Sequence, residues 1–92
     1  DGIIIVVVSI DRASGIVVSG PEIISRGFVY VRESEELMDE SRQLLGDALS
    51  RCSSQELREW NALKTKLRDT LSDYIYEKTK RSPMILPIIM EI

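Results

Sequence analysis

Eight consecutive residues near the start of the chain, IIIVVVSI from Ile3 to Ile10, are almost all apolar and β-branched. This composition is typical of a strand that is covered on both faces or lies at the centre of a small sheet. Successive side chains of a strand point to opposite faces, so both faces of this strand are apolar. A chain of 92 residues forms one modest core, and two helices can cover only one face of its sheet. We therefore expect a large exposed apolar face, which usually marks a partner surface.

A second strand follows after a short turn. The segment DRASG, from Asp11 to Gly15, supplies polar turn residues and a glycine, and Ile16 to Ser19 is again mostly apolar. Together they predict an antiparallel hairpin. Gly20 and Pro21 interrupt the second strand, and Glu22 to Ser25 extends it after a bend or bulge.

Two helices are predicted in the middle of the chain. Ser34, followed by two glutamates, is typical of a helix N-terminus, because a hydroxyl caps the first turn and carboxylates favour its positive end. Ser53 with Glu56 three residues later predicts a capping box that begins a second helix, and Pro83 ends that helix. Apolar residues recur at helical spacing in both: Leu37, Leu44, Leu45, Ala48, Leu49 and Cys52 in the first, and Leu57, Trp60, Leu63, Leu67, Leu71, Tyr74 and Ile75 in the second.

The chain closes with an apolar strand, MILPIIMEI, from Met84 to Ile92. Pro87 cannot donate a ladder hydrogen bond, so this strand is expected at an edge of the sheet or with a bulge. The element order is β-β-α-α-β. We predict one α+β domain over residues 1–92, a small three-stranded sheet with two helices packed on one face.

The composition excludes several kinds of site. The chain has no histidine, the usual general base and the commonest metal ligand, which argues against an independent hydrolase site. The single cysteine, Cys52, rules out an internal disulfide, fits a reducing compartment and is expected to be a buried small hydrophobe. No apolar run is long enough to cross a bilayer, and no secretory signal is visible. Because the chain begins at Asp1 without a methionine, we expect it to be an excerpt of a longer protein.

Charge is unevenly distributed along the chain. The net charge of -3 argues against a freestanding nucleic-acid binder, yet the second helix carries more bases than acids. One interpretation is two solvated helix faces. The other is a surface that steers an anionic partner such as RNA, although few aromatic residues are available to stack on bases. The candidate RNA contacts are Lys64, Lys66, Arg68, Lys78, Lys80 and Arg81.

The stretch between the second strand and the first helix, SGPEIISRGFVYVRES from Ser19 to Ser34, combines turn residues, arginines and aromatic residues. It is either a structural bend or a docking loop, in which an arginine offers a bidentate fork and an aromatic ring an apolar anchor. Tyr76 lies off the apolar stripe of the second helix and is a further candidate contact. The candidate interface residues are therefore Arg26, Phe28, Tyr30, Arg32 and Tyr76.

This stretch, taken with the closing segment YEKTKRSPMILPIIMEI, closely resembles the C-terminal domain of bacterial ribonuclease J, of the metallo-β-lactamase/β-CASP ribonuclease family. The resemblance runs from the first strand to the last. It implies a parent enzyme that degrades and processes RNA in the cytoplasm, both as a 5′-to-3′ exoribonuclease and as an endoribonuclease. In that family two zinc ions, bound by a histidine- and aspartate-rich motif of the catalytic domain, supply the attacking hydroxide.

Without histidine that motif is not present, so no catalytic or metal residue carries over and no cofactor is expected within residues 1–92. What the resemblance implies for this chain is a domain that supports dimer or tetramer assembly and full activity. The expected partners are the other domains and subunits of ribonuclease J, in a homo-oligomer, with RNA bound through the full enzyme and no membrane.

Two functional hypotheses follow. In the first, the sheet and the stretch from Ser19 to Ser34 hold subunits or domains together. In the second, the bases of the second helix guide RNA toward a distant active site. A small-molecule regulatory module ranks last, because the sequence carries no polar pocket signature.

Overall fold

The computed structural model describes residues 2–27 and 31–92, with the backbone alone for residues 31–34. Its elements are β1 (Ile3–Asp11), β2 (Ile16–Arg26), α1 (Val31–Ser50), α2 (Ser54–Arg58), α3 (Trp60–Thr79) and β3 (Met84–Glu91). The predicted order β-β-α-α-β is confirmed, with the second predicted helix divided into α2 and α3.

The three strands form a mixed sheet in the order β2-β1-β3. β1 pairs antiparallel with β2, as the hairpin signal predicts, and parallel with β3. The apolar first strand therefore lies at the centre, and the strand that contains Pro87 lies at an edge. Both placements confirm the sequence expectations.

β2 is a single strand that continues through Gly20 and Pro21. The pairing with β1 shifts register between Val7 and Ser9 and again between Ser9 and Ile10, so the predicted bulge is present. Gly20 has φ +96°, and a Cβ atom built there would lie 2.6 Å from the carbonyl oxygen of Val7. Glycine is required at this position because a side chain would collide with the neighbouring strand.

The predicted helix starts are right for α2 and wrong for α1. Ser53 accepts a hydrogen bond from the Glu56 N–H at 3.1 Å, and the Glu56 carboxylate accepts one from the Ser53 N–H at 2.8 Å, which completes the capping box. α1 begins at Val31, so Ser34 lies inside the helix instead of capping it.

The second predicted helix is interrupted at Glu59, whose ψ of 75° leaves the helical region. No glycine or proline marks this position. Arg58 donates hydrogen bonds to the carbonyl oxygens of Arg12 and Ala13, at 3.1 and 3.0 Å, and so attaches α2 to the β1–β2 turn. α3 then runs to Thr79 and ends at Lys80, which adopts the left-handed conformation at φ 58°.

The core lies between one face of the sheet and the helices. The even-numbered side chains of β1, from Ile4 to Ile10, are fully buried there. Helical stripes cover them, with Leu37, Leu45 and Leu49 from α1, Leu57 from α2, and Leu63, Leu67, Leu71 and Ile75 from α3. Trp60, Tyr74, Leu44 and Cys52 are half-buried at the border of these stripes. None of the described helices combines the length and the apolar composition of a membrane-spanning segment.

Candidate functional site

The face of the sheet opposite the helices is apolar and open. Register pairing places its side chains in rows across the three strands: Ile24, Ile5 and Leu86 form one row, flanked by one that includes Ile3 and Met84 and one that includes Val7 and Ile88. On β3, Met84 is 66% exposed and Leu86 44% exposed. We call this surface the outer face; its apolar members are Ile3, Ile5, Val7, Ile24, Met84, Leu86, Ile88 and Met90.

The outer face confirms the expectation from the β1 pattern. Ile3, Ile5 and Val7 are half-buried by their neighbours in the sheet, whereas the even-numbered side chains of β1 are fully buried under the helices. No described element packs over the exposed side chains of β3. A contiguous apolar surface of this kind, on a chain with a separate core, is typical of a contact surface for another protein.

Two opposite charges stand at the margin of the outer face, both on β2. Arg26 lies opposite Ile3, and Glu22 lies opposite Val7. The two residues are on the same face, four positions apart, which corresponds to about 13 Å along a strand. They are therefore too far apart to pair with each other within the chain.

The free edge of β3 is poorly suited to pairing with another strand. The Met84 N–H bonds the Gly2 oxygen at 3.0 Å and the Ile92 N–H bonds the Ile10 oxygen at 3.1 Å, so even-numbered N–H groups point toward β1. Odd-numbered positions point to the free edge by alternation, and Pro87 among them has no N–H to donate. The outer face, and not this edge, is the better contact surface.

The candidate interface residues fall in different places. Arg26 is exposed at the margin of the outer face. Tyr76 is 51% exposed on α3, on the other side of the sheet, with the Lys80 Nζ 5.3 Å from its ring centroid. Phe28 and Tyr30 lie outside the described residues, as does the side chain of Arg32. The structure thus separates Tyr76 from Arg26.

The structure does not bring the six candidate RNA contacts together. Each helical residue rotates the chain by about 100°, which places Lys64 and Lys66 on nearly opposite sides of α3. The Arg68 Nε lies 3.5 Å from the Asp69 carboxylate, and the Lys78 Nζ lies 5.8 Å from the Tyr74 ring centroid. Lys80 and Arg81 follow the end of the helix. The bases form separate groups with acids between them.

An open cleft of about 350 Å³ lies where the end of the β-hairpin meets the end of α1 and α2. Its lining includes Gly15, Gly46, Leu49, Cys52 and Leu57, with no charged side chain. The Cys52 thiol donates to the Ala48 carbonyl oxygen at 3.3 Å, and the Lys66 Nζ lies 3.7 Å from its sulfur. Cys52 is therefore half-buried at the cleft, with polar contacts, and not the buried small hydrophobe that the sequence predicts. Among the side chains that the structure describes, those of residues 2–27 and 35–92, no group of three acidic, histidine or cysteine residues could hold a metal ion.

The sequence patterns do not predict which polar side chains of different elements contact each other. The Tyr74 hydroxyl on α3 donates to the Glu40 carboxylate on α1. Burial, with this hydrogen bond and the negative charge of Glu40, raises the pKa of Tyr74 to about 12. At the surface, the backbone hydrogen bond with Ser53 lowers the pKa of Glu56. Both groups stabilise the scaffold behind the outer face and lie away from it.

The sequence patterns also missed Glu22 and the exposed residues of β3. Because nearly every residue of β3 is apolar, its sequence cannot tell which side chains face outward. Only the pairing of Met84 with Ile3 and of Leu86 with Ile5 assigns them to the outer face.

Comparisons of the sequence with known proteins identify related proteins over its whole length. A family model described as the ribonuclease J C-terminal domain matches residues 1–92. Ribonuclease J2 of Bacillus subtilis (strain 168) is 51% identical over 92 residues, all of this chain and 17% of that protein. Ribonuclease J 2 proteins of Staphylococcus epidermidis and Staphylococcus aureus are 46% and 45% identical, again over the whole chain and 16% of their length. The chain therefore spans about a sixth of the curated relatives that it matches.

Proposed function

The chain belongs to the ribonuclease J C-terminal domain family, and on that premise we propose that it is the assembly domain of a ribonuclease J. In this proposal it holds subunits or domains of the enzyme together through the outer face and supports their activity. The RNA-degrading and RNA-processing reaction, as a 5′-to-3′ exoribonuclease and an endoribonuclease in the cytoplasm, belongs to the rest of the parent protein.

One observation carries the proposal: no described residue packs over the outer face, while the described core lies on the other side of the same sheet. Ile24, Leu86 and Ile88 are each more than one-third exposed, at 43%, 44% and 38%. Apolar side chains aligned in rows on a rigid sheet bury their surface by docking a complementary surface. A polar partner such as RNA would not bury this apolar surface.

A catalytic role for the isolated chain is not part of the proposal. The two zinc ions that the family implies do not fit here, because the sequence has no histidine and the described residues contain no group that could hold a metal. We therefore assign the zinc chemistry to the catalytic domain of the parent enzyme and derive no step of it from these residues.

The second candidate function, an RNA-contacting module, is supported by part of α3. Lys64 and Arg68 lie one turn apart on the same side of the helix, and Lys78 returns to that side near its end. Positive charge on one flank of α3 would attract RNA bound by the full enzyme. The acids Asp69 and Asp73 on the remaining surface weaken this attraction, so we rank it second.

Sedimentation equilibrium of the 92-residue chain over a wide concentration range tests the assembly role. We expect reversible self-association that Leu86→Asp abolishes, because a carboxylate in the central row of the outer face would be buried without a partner. Ala62→Asp, on the exposed surface of α3, is the matched control and should associate like the unchanged chain. Thermal unfolding of each variant establishes that the fold is intact.

A chain that stays monomeric at every concentration contradicts self-assembly through this face. Self-assembly there is equally contradicted if folded Leu86→Asp associates as strongly as the control. In the parent ribonuclease, we expect Leu86→Asp to lower both the oligomeric state and the activity, whereas Ala62→Asp should change neither.

A further inference from the structure

We propose that two copies of the chain pack their outer faces together about a two-fold axis that lies along the row of Ile24, Ile5 and Leu86, perpendicular to the strands. This inference rests on the proposed assembly function and adds to it the partner, a second copy, and the register in which the two faces meet.

The axis follows from the arrangement of rows. A rotation of 180° about the central row reverses the strand direction and keeps each strand over its own equivalent. The row that contains Arg26 then meets the row that contains Glu22 of the second copy. Ile3 packs on Val7 of that copy and Met84 on its Ile88, while Ile5 and Leu86 meet their own equivalents. Every apolar side chain of these three rows faces an apolar side chain.

The two charges at the margin select this axis over the alternative. A two-fold axis parallel to the strands would place β2 over β3 of the second copy. Arg26 would then face Met84 and Glu22 would face Ile88, which leaves both charges against apolar surface without a partner. With the perpendicular axis, each Arg26 meets the Glu22 of the other copy, and the symmetry makes this pair twice.

Face-to-face packing is also consistent with the position of Pro87 at the free edge of β3. If two copies joined β3 to β3 and continued the sheet, Pro87 of each copy would lie at the new junction without an N–H to donate. Face-to-face packing needs no donor from that edge. It forms a two-layer sandwich with the sheets about 10 Å apart and the helices on the outside of both layers.

The size of the contact sets its expected strength. The three rows cover about 13 Å along the strands and about 10 Å across them. This surface is smaller than the roughly 800 Å² per partner of a standard stable interface. We therefore expect reversible association of the isolated chain in the micromolar range, strengthened in the parent enzyme by contacts of its other domains.

A charge-swap series measured by sedimentation equilibrium tests the axis. Arg26→Glu and Glu22→Arg should each raise the dissociation constant by about tenfold, because each turns two attractive contacts into two repulsive ones. The double variant Arg26→Glu/Glu22→Arg should restore the original constant, since the symmetry exchanges the two positions. Arg51→Glu, an exposed reversal at the end of α1, should leave association unchanged once thermal unfolding confirms that each variant is folded.

Other outcomes overturn the axis, and they are distinguishable from failure of the assembly role. If Leu86→Asp abolishes association but the double charge variant stays as weak as the single ones, the outer face is the interface and this axis is wrong. The same conclusion holds if neither single reversal changes association. If Leu86→Asp has no effect, or the unchanged chain is monomeric, both the assembly role and the axis fail.

Discussion

The guanidinium carbon of Arg12 lies 4.9 Å from the centroid of the Trp60 ring, so the β1–β2 turn contacts the first residue of α3 directly. This cation–π contact stands beside the two hydrogen bonds from Arg58 to the same turn. A 3.8 Å ion pair also joins Arg12 to Glu91 at the end of β3. These contacts join that end of the sheet to the helical layer.

We predict that Arg58→Ala lowers the free energy of unfolding by about 1 kcal/mol, because two backbone carbonyl oxygens lose a charged donor at an exposed site. Arg58→Lys should recover only part of this loss, since one ammonium group cannot reproduce the guanidinium fork. Urea unfolding followed by the fluorescence of Trp60, the one tryptophan of the chain, measures the change. Arg51→Ala is the control and should stay within about 0.5 kcal/mol of the unchanged chain. Equal losses in both alanine variants would argue against a role for the turn contacts.

The break before α3 shows which features local sequence can predict. The capping box at Ser53 and the apolar stripe of α3 depend on residues three or four positions apart, and both were predicted. The interruption at Glu59 has no local signal, because it accompanies hydrogen bonds from Arg58 to residues about 45 positions earlier in the chain. Likewise, Gly20 and Pro21 suggested a break in β2, but pairing with β1 on both sides of them keeps the strand continuous.

The sequence predicts that an apolar face exists, but not which residues of β2 and β3 belong to it. Alternation along β1 predicts a second apolar face from the sequence alone. It cannot predict that β3 runs parallel to β1, which is what brings Leu86 beside Ile5, nor that Glu22 and Arg26 share that face. For the basic residues the sequence distance was misleading, since neighbours such as Lys64 and Lys66 lie on opposite sides of a helix.

Tyr74 makes the stability of the chain sensitive to alkaline pH. Its folded pKa of about 12 lies above the ordinary value of 10.0. The stabilisation of the neutral hydroxyl is therefore complete below pH 10 and is lost as pH rises toward about 12. We expect the free energy of unfolding to fall more steeply over this interval in the unchanged chain than in Tyr74→Phe. Denaturant unfolding at several pH values measures the difference.

Glu40→Gln is the matched variant for this titration. It removes the negative charge of Glu40 and keeps a side chain of nearly the same shape, so the pKa of Tyr74 should move down toward its ordinary value while burial keeps it above that value. The difference in tyrosinate absorbance between each chain and its Tyr74→Phe variant isolates the ionisation of Tyr74 from that of Tyr30 and Tyr76. If Tyr74 titrates identically in Glu40→Gln and in the unchanged chain, the contact between α1 and α3 does not control its pKa.

The separation of the bases on α3 gives a sharp test of the RNA-contacting alternative in the parent ribonuclease. If one flank of the helix contacts RNA, Lys64→Glu/Arg68→Glu should weaken RNA binding and reduce its dependence on salt concentration, because fewer phosphates are neutralised. Lys66→Glu/Lys80→Glu changes the net charge by the same amount on the opposite side and should have a much smaller effect. Fluorescence anisotropy of labelled RNA, titrated at several salt concentrations, gives both quantities. Equal weakening of RNA binding by both double variants would indicate a general effect of net charge. Unchanged RNA binding in both would show that α3 does not contact RNA, and would leave assembly as the proposed role.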